Sequence, residues 1–166
     1  MLIYHPAFDA YHCLFRMIAL SDHLNTVEVE KIRILDFYMI FPSLVSKIRM
    51  PATHNDAKAE AKKYINEYRD PISPLATFRD MHQIQISALK CLAAAGLIDM
   101  EKLEHGVIIR TQMEIPDGLL LEMKSFLNEK PKIYDFIIDK LSQFHLLGKD
   151  GLKDRTQLME YRYDFS

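Results

Sequence analysis

RILDFYMIFPSLVSKIR, residues 33–49, is the stretch on which the reading of the fold turns. Ile34, Leu35, Phe37, Tyr38, Met39, Ile40 and Phe41 point to nearly every side of a helix, and only Arg33 and Asp36 interrupt them. A helix that is apolar all round has to be covered all round, by its own domain, by a partner, or by both. Spanning a bilayer takes about 20 apolar residues, and charges flank this shorter run closely, so it is not a membrane span. Pro42 then breaks or kinks the helix, because it lacks an N–H and its ring clashes with the preceding turn. The stretch is read as a central buried helix and a docking element, with Phe37, Tyr38, Phe41, Leu44 and Val45 as the partner-binding set. Arg33 lies three residues before Asp36, a spacing that suits a structural ion pair.

Upstream, Phe8, Tyr11, Phe15, Ile18 and Ala19 recur at three- and four-residue steps and predict a first helix. Asp9 falls in its first turn. Ser21 to Asn25 is a polar break, and Asn25 or Thr26 is expected to cap the central helix, followed by Glu28 and Glu30.

Downstream of Met50-Pro51 the composition changes. Residues 53–70 are rich in Ala, Lys and Glu, with Tyr64, Ile65 and Tyr68 apolar enough to anchor a face, and read as an exposed helix or a mobile connection whose charges form a solvated face. Ser73-Pro74 is a helix start, with a capping side chain followed by proline at the first helical position. Phe78, Met81, Ile84, Ile86, Leu89 and Leu92 then suit one helix or two, with Asp80 as the cap of the second and Gly96 as the stop. Leu97-Ile98 and Val107-Ile108-Ile109 flank a polar middle containing His105-Gly106, a short hairpin signal. Helix, glycine and hairpin in succession resemble the latter half of a winged helix, with 80–95 as the recognition-type helix and 97–111 as the wing. Pro116-Asp117-Gly118 opens a further helix, Pro131 opens the next, and Gly148 is expected to end it. The pair would pack antiparallel against the N-terminal helices. The ending from Leu158 to Asp164 reads equally as a strand or a helical turn. The expected class is mainly α, α+β with a short β-hairpin. It is organised as a single compact domain, 1–166, with a winged-helix-like part at 71–115 and a C-terminal helical pair at 116–148.

Composition bounds the function. An apolar content of 49% with 27% charged residues, over 166 residues, is ordinary for a globular chain able to bury a core without disulfides. Twenty-one basic and 23 acidic side chains leave a net charge of −2, which provides no global attraction to nucleic acid or anionic membrane. Cys13 and Cys91 form no CxxC pair and read as two buried, reduced thiols. The opening MLIYHPAFDAYH lacks the pattern of an export signal. The expectation is a cytoplasmic protein with no membrane contact.

No phosphate-binding, dinucleotide, metalloprotease, hydrolase-elbow or EF-hand motif occurs, so no enzyme, cofactor or metal is expected. His5, His12 and Cys13 lie close in sequence, with Asp9 one helical turn ahead of Cys13, but lack the further ligands that a metal site needs; a carboxylate complementing the positive helix end, a satisfied histidine and a core thiol explain them. A DNA-binding regulator is the alternative. It would use Gln83, Gln85, Lys90 and Arg110, since Gln and Lys read base edges or phosphates. That set lacks the arginine density of a strong reader, and Asp99, Glu101 and Glu104 make the wing acidic.

Taken together, Tyr4-His5-Pro6-Ala7 through Tyr11-His12, the run Arg33 to Ser46, Asp70-Pro71 with its following helix, Gly96-Leu97-Ile98 and Leu158 to Asp164 resemble the middle components of bacterial ABC three-component systems. The small accessory subunits of Lamassu-type anti-phage and anti-plasmid complexes belong to that group. The resemblance implies a non-catalytic adaptor, winged-helix-like in part. Its partners would be an SMC or Rad50-like ABC ATPase and an effector, often a nuclease, with DNA met through the complex. It brings no catalytic residues with it.

Overall fold

The computed structural model describes residues 5–159. The central helix is α2, Val29–Ile40, in which every residue from Ile32 to Met39 is buried. It is preceded by α1, Ala10–Leu24, which starts where the Asp9 side chain accepts the His12 N–H. Asn25 and Thr26 do not cap α2 as expected. Asn25 closes α1 with a left-handed φ of 61°, and Thr26–Glu28 forms strand β1. The sheet outcompetes the cap because Val27 buries its side chain and the Asn25 carbonyl accepts from the Arg110 N–H at 2.9 Å. Helix α2 then starts behind Glu28 without a side-chain cap.

Pro42 ends α2 as expected, and a 3-10 helix over Pro42–Lys47 continues the chain with Pro42, Ser43 and Val45 buried. Within 53–70 a helix is present: α3, Asn55–Lys62, packs through the fully buried Ala61 on the Pro42–Lys47 turn and on the later helix Pro131–Asp139. Ser73 caps α4, Pro74–Asp80, by accepting the Ala76 N–H at 3.2 Å. Asp80 does not cap α5, His82–Ala94, because the residue between the two helices is Met81, which is wholly buried and holds them close to one continuous run. Gly96, at φ +77°, ends α5 as expected, and the Leu97 N–H closes the turn on the Leu92 carbonyl at 2.9 Å.

The expected hairpin is present in part and is wider than its sequence suggested. Ile98 and Arg110 meet as an antiparallel bridge, but the segment between them forms a short helix, α6, Met100–Glu104, capped by Asp99. The longer pairing of β2, Val107–Ile109, is antiparallel to β1, with Val27 opposite Ile108 and both facing the core. The short sheet therefore runs in the order β1, β2, Ile98.

Helix α7, Asp117–Glu129, packs on α1, and α8, Pro131–Asp139, packs on α2 and α3. Gly148 does not end α8. That helix stops at Asp139, and a 3-10 turn at Leu141–Gln143 carries the apolar spacing onward with Leu141 buried. Gly148, at φ +78°, instead shapes the turn before α9, Leu152–Thr156. Of the expected C-terminal strand or turn, residues 160–164 lie outside the described residues.

Candidate functional site

The centre of the molecule is a polar knot inside the apolar core. Asp36 on α2 accepts from Arg16 Nε at 2.6 Å and Nη2 at 3.4 Å on α1, and from Gln85 Nε2 at 2.9 Å on α5. All three side chains are almost completely buried. Gln85 Nε2 also donates to the Arg33 carbonyl at 3.2 Å, and Gln85 Oε1 accepts from Arg33 Nε at 2.8 Å. Arg33 reaches the Phe78 carbonyl at 3.4 Å and lies 4.4 Å from the centre of the Phe78 ring. Burial opposes the charge on Arg16, but the attraction and hydrogen bond of Asp36 outweigh it and hold the guanidinium above its ordinary pKa.

This corrects the expected Arg33–Asp36 pair. A three-residue spacing allows that contact, but Arg16 arrives from the facing helix with no water between, and Arg33 turns to Gln85 and Phe78 instead. Gln85 is likewise removed from the proposed base-reading set, because its amide is spent inside the core. Arg110 is half-buried and its three nitrogens donate to Asp22 at 3.1 Å and to the Leu97, Thr111 and Met113 carbonyls at 2.8–3.0 Å. It pins the sheet edge to α1. Gln83 and Lys90 are exposed on α5.

Of the residues expected to meet a partner, Phe37, Tyr38, Phe41 and Val45 are buried and Leu44 is half-buried. The cover comes from the chain itself. Phe37 packs edge-on against Phe78 at 5.9 Å between ring centres, and Phe41 meets Phe37 at 5.1 Å and His5 at 5.4 Å. A carboxylate at position 41 would therefore report on folding before it reported on docking.

Cys13 is buried as expected, and burial, then the nearby Asp36, pushes its thiol well above the ordinary range. Cys91 is corrected to an exposed thiol on the outer side of α5. The His12 ring lies 5.0 Å from Phe15. Among the described residues, no group of three or more His, Cys, Asp and Glu is placed to hold a metal ion, and no helix is long and apolar enough to cross a membrane.

The surface feature that sequence reasoning missed is the connection from α3 to α4. There Ile65, Tyr68 and Ile72 stand out into solvent, Tyr68 at 98% exposure, with Leu75 partly exposed behind them. The backbone beneath is held. Asp70 accepts from Ser43 Oγ at 2.9 Å and from the Asn66 N–H at 3.0 Å, Asn66 Oδ1 accepts the Tyr68 and Arg69 N–H groups, and His5 Nε2 bonds the Arg69 carbonyl at 3.3 Å. Isolated exposed apolar side chains are common, and three on one anchored loop make this connection a candidate interaction surface. Ile72 between Pro71 and Pro74 was the available signal, since a turn cluster has no other use for a β-branched apolar residue.

A family model described as ABC-three component (ABC-3C) system Middle Component 5 matches residues 2–164. No curated protein and no solved structure matches the chain.

Proposed function

The chain belongs to the ABC-three component system Middle Component 5 family, and from that premise we propose that it is a non-catalytic adaptor between an SMC or Rad50-like ABC ATPase and an effector, with a nuclease as the effector class. The setting would be a bacterial defence complex of the Lamassu kind. The observation that carries the reading is the family match across nearly the whole chain, since a middle component implies partner components. The anchored apolar loop at Ile65, Tyr68 and Ile72 supports it, because such a surface is stabilised when a partner takes it out of water. On this reading 71–115 serves as a winged-helix-like protein-binding part. Helix α5, Gly96 and the β1, β2, Ile98 strand order favour that comparison. The DNA-binding alternative retains only Gln83 and Lys90 of its four residues on open surface.

The test is co-expression with the neighbouring genes, capture on a tag carried by this chain, and mass measurement of what is captured. A stoichiometric assembly with a large ATPase and an effector is expected. Tyr68→Ser with Ile72→Asp should leave the fold intact and weaken that assembly. Recovery of the chain alone as a symmetric dimer that binds duplex DNA, with affinity lost on Lys90→Glu, would overturn the adaptor reading.

A further inference from the structure

A cleft of about 290 Å³ opens between the start of α1, the end of α2 and the junction of α7 with α8. Its walls are aromatic: Phe15 lies 5.5 Å from Phe126, and Phe126 stacks on Tyr134 at 4.7 Å. Its charged groups are Arg16, Arg69 and Lys130 against Glu122 and Glu129, with His12 beside them. Asp36 takes only one edge of the Arg16 guanidinium. Nη1 is buried and has no acceptor among the described residues, and a charged donor left so is costly until an acceptor reaches it. Arg16 itself lines the cleft. Lys130, whose Nζ lies 5.9 Å from the centre of the Tyr134 ring, supplies a second cation at the same wall.

We propose that this cleft seats a peptide segment of a partner component, held by one acidic side chain drawn to Arg16 and Lys130, with an apolar neighbour against Phe15 and Phe126. The inference rests on the adaptor reading and names the chemistry that the partner brings. Three observations select this occupant. The unmet donor asks for an anionic or carbonyl oxygen. Arg16, Arg69 and Lys130 outnumber Glu122 and Glu129 in the lining by one charge, which suits a single carboxylate better than a phosphate dianion. The cleft also continues the exposed apolar loop, because Arg69, which lines it, directly follows Tyr68. The exposed Tyr11 stands next to it, with its ring 5.8 Å from Phe15.

The experiment uses the full chain co-expressed with its neighbouring components. Arg16 also supports the core, so the variants are Lys130→Glu and Ser125→Trp, the second placing bulk at an exposed position on the cleft wall. Each is checked for an unchanged circular dichroism spectrum and melting temperature. Both should weaken the assembly by about tenfold or more, Lys130→Glu by turning an attraction for the partner carboxylate into a repulsion and Ser125→Trp by filling the cleft, while Lys130→Arg retains it. A photo-crosslinking residue in place of the exposed Tyr11, beside the cleft, should join a partner segment that contains Asp or Glu. If the wild type assembles and both folded variants assemble equally well, the cleft proposal is overturned while the adaptor reading stands. A crosslink to DNA, or to a partner segment without a carboxylate, overturns it too. Failure of the wild type to capture any component removes the adaptor reading itself.

Discussion

Asp36 joins three helices through one carboxylate, with Arg16 on α1 and Gln85 on α5 both donating to it on α2. A buried ion pair adds little over a well-packed apolar replacement, but removing one member strands the other charge at a cost of about 3–5 kcal/mol. Asp36→Ala should therefore lose stability on that order in urea unfolding. Arg16→Met combined with Asp36→Leu should recover most of it, and recovery by the pair separates the stranded charge from lost packing. The sequence offers only part of this knot. The buried carboxylate was legible, because Asp36 sits in an otherwise apolar run. Its partner was not, because Arg33 is the near cation along the helix and only the tertiary packing of α1 on α2 brings Arg16 closer. The same packing, invisible in one dimension, turns Gln85 inward from a helix whose exposed neighbours Gln83 and Lys90 look chemically alike.

Whole elements were more legible than their ends. Apolar periodicity located α1, α5, α7 and α8, because burial of one face decides such helices, and α2 was located by being apolar all round. Proline and glycine punctuated them correctly at Pro42, Ser73-Pro74, Gly96 and Pro131. The errors fall where a backbone group chose a distant partner over a local cap, as at Asn25, or where a buried side chain bridged two elements, as at Met81. The turn before α9 shows how tightly such a boundary can be drawn. The Leu152 N–H donates to the His145 carbonyl at 2.7 Å, and a Cβ on Gly151 would meet the backbone of Leu147 and His145. Those atoms belong to the main chain and cannot swing aside as a side chain would. Gly151→Ala is expected to destabilise by about 1–3 kcal/mol, the usual cost of overpacking, read as a lower urea midpoint with an unchanged slope. A midpoint at the wild-type value would show that the turn can relax.

At the scale of the molecule, the exposed apolar loop was the least legible part. Apolar content signals burial on average, so Tyr64, Ile65 and Tyr68 read as the anchors of a face, but the fold half-buries Tyr64 and leaves Ile65 and Tyr68 outside the core. The family match supplies the reason to expect partners, and the surface supplies where to look. The β1–β2 ladder has a further effect on how this chain can be divided. Val27 pairs with Ile108 across all the intervening helices, so the segment 71–115 contains only two of the three lines of the sheet. Cut out by itself, it should show the circular dichroism of a largely unfolded peptide, and restoring residues 5–70 should rescue it; an autonomously folded fragment would contradict this. During synthesis the same arrangement imposes an order. Thr26–Glu28 leaves the ribosome well before its mate has been made, and its backbone donors and acceptors stay unmatched until Val107–Ile109 arrives. The nascent chain thus carries an open strand edge through about half of its own translation, an interval in which a stalled or truncated product is most exposed to mispairing and proteolysis.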